Sequence, residues 1–474
     1  MASSASQKPS NADEAPVVFK SNGTVRQYIL NRPQKYNALD KAMLNILRPY
    51  VEKTGKSELG QILVGTGVGK AFCAGGDVVG VINDAANDGT RPNAIDFFRR
   101  EFELDYILAT FPKPYIAVMD GITMGGGVGL ASHAPFRVAT ENTRFAMPET
   151  KIGYAPDVGA SYFLSRADGE LGTYLALTGT EVNGRAVYEH GFATHFVPSR
   201  RIPALLENLA DLENPTMAQI DNLLQEAYSE GEPTELSSGL TGKLRVAIDS
   251  AFRHNSVPQI VKSVNALAEN HEDADVRAWA AQTASQLHAV SPTSLVVALT
   301  AIRRGKSLTL LEALQMELNF ATAYCHTASP DFNTGVTAVL VMKTAKTQRP
   351  QWSPSSTSEL NEPEIIEKFF GKYSPARDTA PTMSISKESE ARSTTLPHPM
   401  LYALPTEEEI KRMVVGSHGQ SGGTTLTLPE ILDKFAQSRP GKHGVREKVL
   451  EVVDRKCVEV EDKKAGQKWL TWVH

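Results

Sequence analysis

The tightest constraint on this chain is a pair of places where a wholly apolar run ends in a glycine-bearing loop. GQILVGTG, at 60–67, is followed within a few residues by AFCAGGD at 71–77. YIAVMDG, at 115–121, runs directly into ITMGGGVGL at 122–130. Short apolar runs bounded by glycine read as buried strands. A helical stretch is expected between the two. FFRREFELDYILATF, at 97–111, supplies one. Upstream, VVFKS and TVRQYIL flank Asn22-Gly23, the preferred pair for a type I′ turn, and predict a hairpin over 17–30. Asp40 is placed to cap a helix whose Met43, Leu44, Leu47 and Val51 recur at helical spacing. Strands alternating with helices indicate an α/β layered domain.

From about 183 to 345 the pattern turns mostly helical, and Ser291-Pro292-Thr293 marks a break and cap between two helices. After Trp352 the chain becomes rich in Ser, Thr, Pro and charge, so 351–396 reads as a linker. Order is expected to return near Pro397. Thr406-Glu407-Glu408-Glu409 has the form of a capping box before IKRMVV, Pro429 opens EILDKFA, and REKVLEVVDRKCVEV reads as a third helix. Residues 397–474 are therefore expected to form an appended helical arm, and 1–16 a flexible tail.

Of the 474 residues, 41% are hydrophobic and 22% charged, the balance of a globular protein with a sizeable core. The net charge of −5 argues against a chain whose main task is gripping nucleic acid, since phosphate needs a basic face. Cys73, Cys325 and Cys457 are widely separated, which argues against a zinc site or a disulfide framework and suits a reducing compartment. No apolar window approaches the length of a membrane span. The opening segment carries Asp13 and Glu14 and no arginine, a poor match to a transit peptide.

Three segments carry chemistry. The loops around Gly75-Gly76 and Gly125-Gly126-Gly127 can expose backbone N–H groups, because glycine permits unusual dihedrals and close approach of a ligand. Two such donors converging make an oxyanion hole; taken singly, each loop is equally well a tight turn. Phosphate-loop readings fail on spacing: Gly69-Lys70 is followed by Ala71 rather than Ser or Thr, and no GxGxxG fits. FAMPET and IGYAPDVG place Glu149 and Asp157 on a Pro- and Gly-punctuated loop between apolar segments. Such carboxyls suit acid-base work if buried, and surface or capping roles if not. His133, His190 and His195 form no Ser-His-Asp or HExxH arrangement and read as structural.

LNRPQKYNALD, KAFCAGGDV, KPYIAVMDGITMGGGVGLA and FAMPETKIGYAPDVGASYFL, in that order, resemble the successive signature segments of the crotonase (enoyl-CoA hydratase/isomerase) superfamily. Within it, GGGVGL and the PET…PDVG pair are most similar to 3-hydroxyisobutyryl-CoA hydrolases. The resemblance covers about 17–347. It implies an α/β fold with a ββα spiral core over 17–350 and a helical C-terminal region. It places oxyanion donors on the N–H groups of Gly76 and Gly126, active carboxylates on Glu149 and Asp157, and a substrate-contacting acid on Glu101. It implies no metal or redox cofactor, coenzyme A arriving with the substrate, and a mitochondrial setting. Hydratases carry a second catalytic glutamate where this chain has Gly129, which argues for hydrolysis over hydration. Ala160 and Ser161 replace glycines of the hydrolase pattern, which implies a more crowded loop. The arm resembles extensions of fungal relatives found in the mitochondrial small ribosomal subunit, so a structural role there is the alternative, alone or beside catalysis.

Overall fold

The computed structural model describes residues 15–228, 238–371, 374–394, 400–423, 425–462 and 467–473. The predicted tail up to residue 14, and Pro397, lie outside them.

Strands β1 (Val17–Asn22) and β2 (Val25–Leu30) form the predicted hairpin, but with Asn22 opposite Val25. The turn residues are thus Gly23 and Thr24, one position later than the Asn-Gly pair suggested. Only Gly23 has positive φ, as in a II′-type turn. The reason is tertiary: a Cβ at residue 23 would lie 2.0 Å from the Ala210 carbonyl oxygen, so only glycine fits where the turn meets that helix end.

Three strand pairs follow: β3 (Ile62–Gly67) with β4 (Ala71–Cys73), β5 (Tyr115–Met119) with β6 (Ile122–Met124), and β7 (Phe136–Ala139) with β8 (Arg144–Ala146). The first member of each pair joins a six-stranded sheet, and the second a four-stranded one. With β9 (Val182–Asn183) and β10 (His195–Phe196), the orders are β1-β2-β3-β5-β7-β10 and β4-β6-β8-β9. From β2 to β10 the larger sheet is parallel. Helices α1 (Lys41–Lys56), α2 (Val78–Ala85), α3 (Arg91–Ala109) and α4 (Gly126–Ser132) connect the turns of this ββα spiral.

The apolar runs are explained by the two faces of the larger sheet. Ile62, Val64, Ile116, Val118, Phe136 and Val138 pack against the helices Ile202–Ala210 and Met217–Glu226. The intervening Leu63, Tyr115, Ala117 and Met119 face the main core. Asp40 caps α1 as expected, accepting from the Met43 N–H at 2.8 Å, and Met43, Leu44, Leu47 and Val51 are buried.

Within 351–396, the described residues carry more structure than a linker. The helices Glu362–Phe370 and Lys387–Ser393 lie in this stretch, and Ile365 and Phe369 are buried. The Phe369 ring sits 4.5 Å from that of Tyr324. The Ser384 N–H donates to Glu103 at 2.6 Å, and Arg392 donates to the Thr110 carbonyl at 2.8 Å. A few anchors suffice to hold a Ser- and Thr-rich segment along α3.

The arm contains the helices Glu407–Val414, Leu428–Ser438 and Val445–Lys456. The last was predicted to continue through Val460. Instead it stops at Lys456, and β11 (Cys457–Asp462) pairs with β12 (Gln467–Trp472), as alternating valines favour. Charge ties the arm to the core. Buried Lys448 and partly buried Asp168 lie 2.8 Å apart, and Asp168 also accepts from the Glu407 N–H at 2.8 Å. Burial opposes ionisation of Asp168, but Lys448 and Arg245 outweigh it and hold its carboxyl below the ordinary value. This contribution to stability is present above the unfolded pKa and lost as pH falls through the folded one. Asp168→Ala would strand the Lys448 ammonium, so chemical denaturation near neutral pH is expected to show a loss of about 3–5 kcal/mol. A loss below about 1 kcal/mol, the range of exposed pairs, would mean the pair does not secure the arm.

Candidate active site

Beyond β4 the chain is held by a short parallel bridge to the loop before α1. The Leu39 N–H donates to the Gly75 carbonyl at 2.8 Å, and the Asp77 N–H donates to the Leu39 carbonyl at 2.7 Å. The N–H of Gly76, between them, takes no part. Beyond β6, Gly125 turns the chain at φ +48° and α4 begins at Gly126. Its N–H belongs to the first helical turn, where no intrahelical acceptor exists. The two loops meet: a Cβ on Gly75 would lie 3.8 Å from the Gly126 nitrogen. Neither the Gly76 nor the Gly126 N–H has an acceptor among the described residues.

Around these donors the fold collects carboxyls. Glu101 comes from α3, and its Oε1 lies 2.1 Å from the point a Gly126 Cβ would occupy. Glu149 opens the turn Glu149–Ile152, and its Oε1 is 2.9 Å from the corresponding point on Gly125. Asp157 accepts from the Tyr154 hydroxyl at 3.0 Å. All three are buried, and Glu101 Oε1 and Glu149 Oε2 have no hydrogen-bond donor among the described residues. The structure therefore brings all five residues singled out in the sequence into one region.

Two members of the cluster were missed. Asp105 lies four residues after Glu101 on α3, fully buried, with both carboxyl oxygens unpartnered. Its helical spacing from Glu101 was the available signal. Glu317, on the helix Leu310–Cys325, accepts from the Gly159 N–H at 2.6 Å, the Ser161 N–H at 2.9 Å and the Ser161 hydroxyl at 2.6 Å. Nothing local in MELNF marks it. Ser161, one of the two residues in place of the pattern's glycines, supplies two of the three donors that hold Glu317.

Asp157 is positioned by backbone strain. Val158 adopts φ +54°, rare for a β-branched residue. Its carbonyl accepts from His133 Nε2 at 2.9 Å. Its Cβ fills the space beside Gly129, where a Cβ would stand 2.6 Å from Val158 Cβ and 2.7 Å from Asp105 Oδ2. No side chain, and so no second glutamate, fits at position 129. His133 thus supports the loop, and burial pushes its pKa down to about 4. His190 pairs with the Ser238 hydroxyl and His195 with Asp221, both away from the cluster.

Burial raises every carboxyl of the cluster. It acts first on Glu101, reinforced by Asp157 and Glu149, and first on Glu149, reinforced by Asp157. It lifts Asp105 likewise, with Glu101 adding to it. Burial pushes Asp157 up to about 7 against the Tyr154 hydrogen bond, and Glu317 up to about 8 against the donors of Ser161 and Gly159. Close carboxyls cannot all ionise, so near neutral pH they share protons and offer an acid and a base in one place.

A raised folded pKa favours the native state below the unfolded value, and that advantage is lost as pH rises through the folded one. For Asp157 the window runs from about 4 to about 7. The melting temperature of the parent is expected to fall across this window more steeply than that of Asp157→Asn. Parallel curves from thermal unfolding would refute it.

A parallel ββα spiral bearing two converging glycine N–H donors beside buried carboxyls defines the class to which this chain is assigned. It belongs to the enoyl-CoA hydratase/isomerase family, whose sequence model matches residues 25–370. The solved carnitinyl-CoA dehydratase of Mycobacterium thermoresistibile is 32% identical, with a TM-score of 0.65, covering 75% of this chain and 96% of that one. The small ribosomal subunit protein mS47 of Neurospora crassa is 37% identical over 462 residues, 95% of this chain and 87% of that protein. The mitochondrial 3-hydroxyisobutyryl-CoA hydrolase of Danio rerio is 39% identical over 355 residues, 75% of this chain and 89% of the hydrolase. The human enzyme of that name is 38% identical over 354 residues, 74% of this chain and 88% of that enzyme.

Proposed function

We propose that this chain hydrolyses the thioester of a short 3-hydroxyacyl-coenzyme A, with 3-hydroxyisobutyryl-CoA as the substrate, in the mitochondrion. The observation carrying this reading is the pair of free glycine N–H groups beside a carboxyl cluster in which position 129 has no room for a side chain. The names of the hydrolase relatives support the substrate class and the compartment.

In this reading the thioester oxygen sits between the N–H groups of Gly76 and Gly126, which stabilise the negative charge as the carbonyl carbon is attacked. Glu149 attacks it, the C–S bond breaks, and coenzyme A leaves as a thiolate that takes a proton from the cluster. Water then opens the acyl-glutamyl anhydride and restores the carboxylate. Glu149 acting as general base on water is the other division of labour with the same products. Asp157 exchanges the proton and meets the substrate 3-hydroxyl, and Glu101 supplies a second contact with the acyl group. The reaction requires neither a metal nor a redox cofactor, and coenzyme A enters as part of the substrate. Purified protein is expected to release free thiol from 3-hydroxyisobutyryl-CoA. No thiol release, together with water addition to an enoyl-CoA, would replace hydrolysis by hydration.

A second reading, a component of the mitochondrial small ribosomal subunit, is favoured by the mS47 similarity, which takes in sequence that the hydrolase alignments leave out. Co-sedimentation of the full-length chain with that subunit supports it, and absence from those fractions removes it. Both roles are compatible in one molecule.

A further inference from the structure

The helix Val445–Lys456 and the hairpin β11–β12 enclose a groove of about 600 Å³. Leu428, Leu450, Val453 and Leu470 give it an apolar lining. Its charged lining, from Glu447, Glu451, Asp454 and Glu459, is acidic, with no lysine or arginine among the described residues that line it. Glu451 is engaged by Arg455, and Glu459 by Lys468. Asp454 is exposed and has no ion-pair partner among the described residues. Glu447 is only 9% exposed, lines the groove, and its Oε2 is buried without a donor among the described residues. A buried carboxylate oxygen without a donor costs free energy, and a cation entering the groove would recover it.

We infer that this groove docks a basic, amphipathic segment of a protein partner. Lysines or arginines laid in it place their aliphatic stems on the leucines, with one head against Glu447 and another, about two helical turns on, against Asp454. Nucleic acid does not suit the site, because the lining repels phosphate. If the chain sits on a ribosome, the arm then meets a basic protein rather than RNA. Apart from Thr241 and Gly242, the residues lining the groove lie beyond those matched by the family model, and none belongs to the carboxyl cluster, so this inference stands or falls apart from the hydrolase reading.

The test uses the full-length chain and fluorescence anisotropy with a labelled peptide of alternating lysine and leucine. A glutamate-for-lysine peptide and a labelled oligouridylate serve as comparisons. The lysine peptide is expected to bind in preference to both. The Glu447→Gln/Asp454→Asn double variant is expected to weaken it by about tenfold or more, as loss of a buried charge partner does. Should the double variant melt early by circular dichroism, Asp454→Lys, at the exposed rim, is expected to weaken binding while leaving the melt unchanged. Equal affinity in parent and variants, no binding of the lysine peptide, or RNA binding as tight as the peptide would each overturn the inference.

Discussion

Glu149→Ala is expected to lower thiol release by about 10²–10⁴, the contribution of a positioned acid-base or nucleophilic group, without weakening the fold. The second half of this expectation gives the test its power. The backbone of Glu149 is structural: its carbonyl accepts from the Tyr154 N–H at 3.0 Å. Its side chain ties no other residue into the fold among the described residues: Oε2 has no donor, and the carboxyl's hydrogen bond comes from its own backbone N–H. Alanine keeps the backbone bond and removes a buried carboxyl whose ionisation the site resists. Thermal stability should therefore hold or rise while turnover falls, the trade expected where a strained site serves function. Unchanged turnover would remove Glu149 from the mechanism. A fall in activity matched by early melting would assign it a structural role instead.

The second large effect is expected at Gly126. A Cβ there would stand 2.1 Å from Glu101 Oε1 and 3.3 Å from Leu39 Cδ1. Valine therefore forces either Glu101 aside or the start of α4 out of place, and both disturb the donor that faces the thioester. Loss of one oxyanion donor costs about 10²–10³ in kcat, and displacement of Glu101 adds to it. The expected signature is a collapse of kcat with secondary structure retained by circular dichroism. Turnover comparable to the parent in Gly126→Val would place the donors elsewhere.

The sequence by itself determined the parts of this protein that depend on neighbours along the chain. The buried strands follow from apolar runs too continuous for a one-faced sheet. The start of α1 follows from Asp40 and the spacing of its buried face. The two glycine loops follow from a residue type that leaves backbone N–H groups bare. With four segments in order, their resemblance to a known family also gave the five residues the fold gathers.

Tertiary structure alone decided the rest. The hairpin turn moved by one residue because the carbonyl of Ala210 leaves room only for glycine there. A segment with a linker's composition lies along α3 because Glu103 and Thr110 offer partners that composition does not reveal. Glu317 joins the site from 156 residues beyond Ser161, a distance over which no local periodicity carries information. Asp105 is the sharpest case. Its sequence context is an ordinary helix face, and only the meeting of α3 with Gly129 and the strained Val158 makes that face the wall of a buried acidic site. Local physics specifies elements and loops; which carboxyls share a low-dielectric space, and hence which ones hold protons at neutral pH, is fixed only when those elements pack.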